Sequence, residues 1–302
     1  MEVRVQGGGP TAPFLSARDV FETEYDLDKR VYVRVRSDPD ERTWTAHYDD
    51  HHLLNMSHTT ASSAMARELA LHEFSHMHRN EQKHPSHTQS TAEAIYLALA
   101  GQSVERRTLT HCYQIANHMK DIYADDITLD VTPPNKLVTF LESALASAVV
   151  DQPATAPIVW PRLTRNSEHD ITGLRSASSQ QPAAAVDRAE LYSASSRAKP
   201  GDTEERCPLG NQQLRSSDSR TASSDITAVN AAFALALCER HDLVETDHQL
   251  YDLAHAAAND APNVDLDAFK SRFRTLTTDP DEAEYRNALV DVTRAYTAST
   301  NG

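Results

Sequence analysis

The sequence predicts an α+β fold in which a small mixed sheet carries a long helix and several following helices. A disordered linker and a small C-terminal helical bundle come after them. Three observations lead there. Period-two alternation of β-branched residues is confined to about the first sixty positions. From there to about residue 150 the apolar residues recur at helical spacing. Residues 151–224 contain 12 Ser and 6 Pro and few large apolar side chains, too little to offset the entropy of ordering a chain. The expected organisation is therefore 1–150, an α+β domain; 151–224, a disordered Ser/Pro/Ala-rich linker; and 225–302, a helical bundle.

The elements follow in order. Ser16–Tyr25 has the composition of a short helix. Val31, Val33 and Val35 alternate with Tyr32, Arg34 and Arg36, the pattern of a half-buried strand. Asp38-Pro39-Asp40-Glu41 is a turn, and Thr43–Tyr48 and His52–Met56 read as two further strands. Helices are expected over Ser62–Arg79, Thr91–Ala100, Thr110–Asp126 and, after the Pro133-Pro134 break, Asn135–Ala148. Trp160, between two prolines, is a local docking point within the linker. Beyond it, Asp225 can cap a helix that carries Ile226, Val229, Phe233 and Leu237 on one face. A helix near 246–259 follows. Leu266, Phe269, Phe273 and Leu276 mark the next one, and Asp279-Pro280 opens the last, with Tyr285, Leu289, Val292 and Tyr296 on its inner stripe.

Charge narrows the classes of function. The 302 residues carry 44 Asp+Glu against 29 Lys+Arg, a net charge of -15. Such a chain is a poor nucleic-acid binder, because phosphate contacts need cations to displace counterions. The excess lies in the segments expected to fold: -7 over 1–150, zero over 151–224 and -8 over 225–302. Only six of the cations are Lys, and Asp outnumbers Glu by 26 to 18. Short carboxylates hold water and cations, and concentrated salt screens their repulsion, so this is the surface expected of a halophile. No apolar run reaches the ~18 residues of a membrane span. The N-terminal residues lack a basic-then-apolar signal, and the three cysteines form no CxxC pair, so a cytoplasmic location is expected.

Histidine carries the chemistry. Eleven of 15 fall between His47 and His118, and among them is His72-Glu73-Phe74-Ser75-His76, an HExxH. Composition alone would give about 0.04 such matches in a chain of this kind. No Pro or Gly interrupts its flanks, so the motif lies within a helix, and residues four apart share one face. His72 and His76 can then aim both imidazoles at one zinc ion. Glu73 is displaced around the helix, where it can take a proton from an activated water. A third ligand must come from elsewhere. Asp121, Glu93 and Asp125 are the candidates, and His118 is a fourth possibility; Asp121 is favoured because it shares a helix face with His118 and Asp125. Asp125 would then accept the remaining N–H of a ligand histidine. His118 or Tyr123 can stabilise an oxyanion. The loop histidines His51, His52, His84 and His87 read as solvated side chains or as the lining of a cleft beside the metal. His241, His248 and His255 do not read as a second site.

On these residues the segment 52–126 resembles a zinc-dependent metallopeptidase of the gluzincin type, in its small minigluzincin-like form. That family commonly carries Glu-x-x-x-Asp on a later helix, and Asp121-Ile-Tyr-Ala-Asp125 has the same spacing with Asp in the first place. Glu93-Ala-Ile is similar too, but Leu97 stands where the Asp would be. The resemblance implies a gluzincin-like active-site helix, Zn2+ and hydrolysis of a peptide or protein substrate with Glu73 as catalytic base. The whole chain, with its His84-Pro-Ser-His87 loop, resembles an uncharacterised haloarchaeal family of unknown function. The competing expectation is a non-catalytic, zinc-stabilised scaffold or a regulatory protein whose C-terminal bundle binds a protein partner.

Overall fold

The sheet has four strands in the order β1-β2-β4-β3, formed by β1 (Val3–Gln6), β2 (Arg30–Arg36), β3 (Trp44–His47) and β4 (His51–Ser57). A computed structural model describes residues 1–39, 41–149 and 218–300. Strands β1, β2 and β4 run parallel, and β3 is an antiparallel edge on β4. Val31, Val33 and Val35 are buried while Tyr32 and Arg34 are only partly covered, as the alternation requires. The sequence reading omits β1, whose Val3 and Val5 are too few to show a period. Its end is fixed by Gly7, at φ +103°, where a Cβ would lie 2.2 Å from the carbonyl oxygen of Val35.

Helix α1 (Ala12–Phe21) starts four residues before the position expected and carries Pro13 in its first turn. The expected helix 62–79 is α3 (Ala66–Glu81), which starts four residues later than expected and is preceded by a single turn α2 (His58–Ala61), capped by Ser57. Ser62 and Ser63 fall in the break, where hydroxyls compete with the helix for backbone partners. Next come α4 (Pro85–Thr88), α5 (Thr91–Leu99), the 26-residue α6 (Arg106–Val131) and α7 (Asn135–Val149). The last four helices are α8 (Asp218–Arg240), α9 (Gln249–Asn259), α10 (Leu266–Arg274) and α11 (Glu282–Thr300). Helix α8 begins earlier than expected, so Asp225 lies inside it rather than at its cap. The rest of the predicted linker, with Trp160, lies outside the described residues.

Two cores result. Phe14 and Phe21 of α1, the valines of β2 and Phe74 of α3 form one, with the rings of Phe21 and Phe74 packed edge to face at 6.0 Å. The other joins Ile115 and Ile122 of α6 and Leu141 of α7 to Val229 and Leu237 of α8 and to Tyr285 and Tyr296 of α11. Helices before and after the stretch 150–217 therefore share a single apolar interior. Helix α6 touches both cores through Ile127 on one side and Ile122 on the other. Among the described residues no helix is long and apolar enough to cross a membrane.

Candidate metal centre

Helix α3 is buried from Leu69 to Met77. Its polar residues there need internal partners, because an unpaired polar group away from water is costly. His72 and His76 project side by side, with their Nε2 atoms 3.0 Å apart. Their other nitrogens are anchored from two directions. His72 Nδ1 donates to Asp125 Oδ1 at 2.7 Å, and His76 Nδ1 meets His87 Nε2 at 2.7 Å. An ionised carboxylate only accepts, so in a neutral His72 ring the proton sits on Nδ1 and the lone pair on Nε2.

Asp121 of α6 closes the group. Its Oδ1 lies 3.3 Å from His76 Nε2 and 3.7 Å from His72 Nε2, and the side chain is 1 % exposed. Among the described residues neither of its oxygens has a hydrogen-bond partner. Burial would raise its pKa, but His118, His72 and His76 hold it well below the ordinary carboxylate range. Burial likewise opposes charge on His72, yet Asp125 and Asp121 more than offset this and keep it well above the usual histidine value. Two imidazole nitrogens and a carboxylate oxygen facing one point, all buried, can hold a metal ion. Tetrahedral bonds of the length zinc forms to N and O place neighbouring ligand atoms ~3.3 Å apart. The observed 3.0, 3.3 and 3.7 Å bracket that spacing.

Glu73 is 1 % exposed and accepts a hydrogen bond from the Thr45 hydroxyl of β3. Burial pushes its pKa up, against the pull of His76 and His72. The short edge strand thus positions the carboxylate of the HExxH helix. A mainly apolar cleft, walled by Leu69, Leu129, Leu137, Phe140 and Phe233, ends on His72, Asp121 and Asp125.

The remaining candidates separate. Glu93 is exposed in the first turn of α5, its backbone N–H capped by Ser90, and lies outside the group. His118 is wholly buried behind Asp121: its Nδ1 is 3.5 Å from Asp121 Oδ2 and its Nε2 is 2.8 Å from Asn230 Oδ1. The Tyr123 ring packs on those of His84 and Tyr285. His51 is half-buried, bonds Asp50 and stacks on Tyr48, whereas His52 is buried between His47 and Glu81. His87 is the loop histidine that reaches the group. Burial, then the neighbouring His76 and Lys120, push its pKa well below the usual value.

Two supports escape the sequence reading, Thr45 and Asn230, and so does the helix that carries a third, His87. Helix α4 presents His87, and the pattern that forms it is visible in retrospect: His84 caps it by accepting from Ser86 N–H, and Pro85 opens it. Thr45 and Asn230 carry no local signal at all.

The fold and the group together define an α+β protein with a buried two-histidine, one-carboxylate centre. The chain belongs to the family of unknown function DUF5781, whose model matches residues 1–200 and 201–298. No curated protein matches it, and no solved structure does.

Proposed function

We propose that the chain is a zinc-dependent metallopeptidase, with His72, His76 and Asp121 holding the ion and Glu73 as general base. One observation carries the reading: Asp121 Oδ1, buried and without a hydrogen-bond partner among the described residues, stands 3.3 and 3.7 Å from the Nε2 atoms of His76 and His72. A bound zinc ion would acidify water and polarise a substrate carbonyl. Glu73 takes the proton as the water oxygen bonds to the carbonyl carbon, and returns it to the amine nitrogen as the C–N bond breaks. Thr45 holds that carboxylate in place. Asp125 and His87 fix the two ligand rings through Nδ1, so both Nε2 atoms face inward. In this reading residues 1–150 supply the ligands and the base, and 225–302 supply support.

A second reading has an observation in its favour. His72 is 5 % exposed and His76 2 %, the burial of a closed site in which zinc only staples α3 to α6. The Glu73→Gln variant separates the two. The peptidase reading expects about one zinc per chain in wild type and in the variant, with hydrolysis of a mixed peptide library falling about 10²- to 10⁴-fold. Unchanged hydrolysis, or none in zinc-loaded wild type, leaves the staple. A folded wild type that takes up no zinc removes both.

A further inference from the structure

We infer that Asn230, in the C-terminal helix α8, is a positioning residue for the metal centre, acting through His118 on Asp121. This rests on the metal-binding part of the proposed function and not on peptidase activity. Asn230 lies 112 positions from His118 in sequence, yet its Oδ1 is 2.8 Å from His118 Nε2. The same oxygen accepts from Gln114 Nε2 at 3.1 Å, one turn earlier on α6. Two donors on one oxygen fix which way the amide faces. The imidazole is then hydrogen-bonded to Asn230 through Nε2, while its Nδ1 stands 3.5 Å from Asp121 Oδ2, in contact without a hydrogen bond. Its face stacks on Phe233, also on α8, with centroids 4.3 Å apart and planes at 16°. A ring anchored at one nitrogen and stacked on one face keeps its place against Asp121, and so limits where that carboxylate can sit.

Two further observations support the assignment. Asn230 is 3 % exposed, and its Nδ2 has no hydrogen-bond partner. A leucine would fill that space without burying an unmatched N–H, so the benefit of the asparagine lies with its oxygen. Helix α8 also grips α6 beyond the ligands: Arg240 donates twice to Asp126, at 2.8 and 2.9 Å. His118 and Asp126 bracket Asp121 and Asp125, so α8 holds the ligand-bearing stretch of α6 at both ends.

The test uses the full chain, with zinc and cobalt(II) as probes. Asn230→Leu removes the acceptor; Asn230→Asp keeps an oxygen at the same reach. Asn230→Leu is expected to weaken zinc binding about 10- to 100-fold and to shift the visible absorption of the cobalt-substituted protein. Asn230→Asp should restore both. Leu289→Ala, in the core of α11, serves as the control for lost stability and should lower the melting temperature with zinc affinity unchanged. If Asn230→Leu does not fold, Asn230→Ser, which is polar but too short to reach His118, takes its place with the same expectation. Wild-type zinc affinity and spectrum in the folded variant overturn the role of Asn230 alone. So does a failure of Asn230→Asp to restore them, or an equal loss of affinity in Leu289→Ala. A wild type that binds neither metal overturns the metal centre itself, and the role of Asn230 with it.

Discussion

Helices α3 and α8 are both buried over most of their length, and they bury opposite things. Between Leu69 and Met77, α3 encloses His72, Glu73, Ser75 and His76. Between Ala231 and Cys238, α8 encloses only apolar side chains. The second stretch stabilises the fold by removing apolar surface from water. The first costs stability unless each polar atom finds a partner. It finds them in Thr45, Asp125, Thr128 and His87, the two Nε2 atoms meet each other, and the oxygens of Asp121 that face this group are left without a partner among the described residues. Uncompensated polarity inside a well-packed region marks where a ligand belongs, and apolar continuity marks the frame.

The strongest way to break this contrast is to exchange the effects. His76→Ala should abolish zinc binding, a loss of at least about a thousandfold, with one ligand of three gone. Leu235→Ala, equally buried in α8, should cost about 2–5 kcal/mol of unfolding free energy with zinc affinity unchanged. Zinc titration and urea unfolding on both variants check it. If Leu235→Ala impairs zinc binding as severely as His76→Ala, frame and site are not separable.

A smaller effect tests the frame alone. His111 is buried against Tyr296, with Nδ1 2.6 Å from the hydroxyl. Burial, with Arg107 nearby, pushes its pKa down to about 4. The unfolded chain, with an ordinary histidine near 6.5, binds the extra proton first. Stability from this group is thus present above about pH 6.5 and lost as pH falls toward 4, by about 3 kcal/mol in all. Unfolding free energies of wild type and His111→Phe across that window should differ in slope. Parallel curves would refute the assignment. The smallest change concerns the site: Asp125→Asn keeps an acceptor for His72 Nδ1 but removes its charge, and should weaken zinc binding about tenfold. Calorimetric titration with zinc measures it; unchanged affinity would show that the charge of Asp125 contributes nothing.

The contrast also explains what could be read from one chain. The α+β order, the strand Val31–Val35 and the HExxH helix are local patterns with a period, and they are legible. Asp121 stood out by sharing a face with His118 and Asp125, again a local relation. Glu93 had an equal claim by residue type, and only the path of α5 puts it in solvent. Asn230 and Thr45 act across 112 and 28 positions, and no spacing rule spans such a gap. Strand β1 is too short for alternation to show. The serines before α3 favour a break in the helix, but the strength of the flanking apolar pattern hides it.

Arg240 joins Asp126 of α6 to the carbonyl of Leu276 beyond α10, so the end of the chain is tied to the helix that carries Asp121. Such a tie has a thermodynamic corollary. If the proposed metal centre is occupied, a binder of the C-terminal helices that shifts that ion pair and changes metal affinity at Asp121 does so by some factor. Occupancy at Asp121 must then alter the affinity of that binder by the same factor.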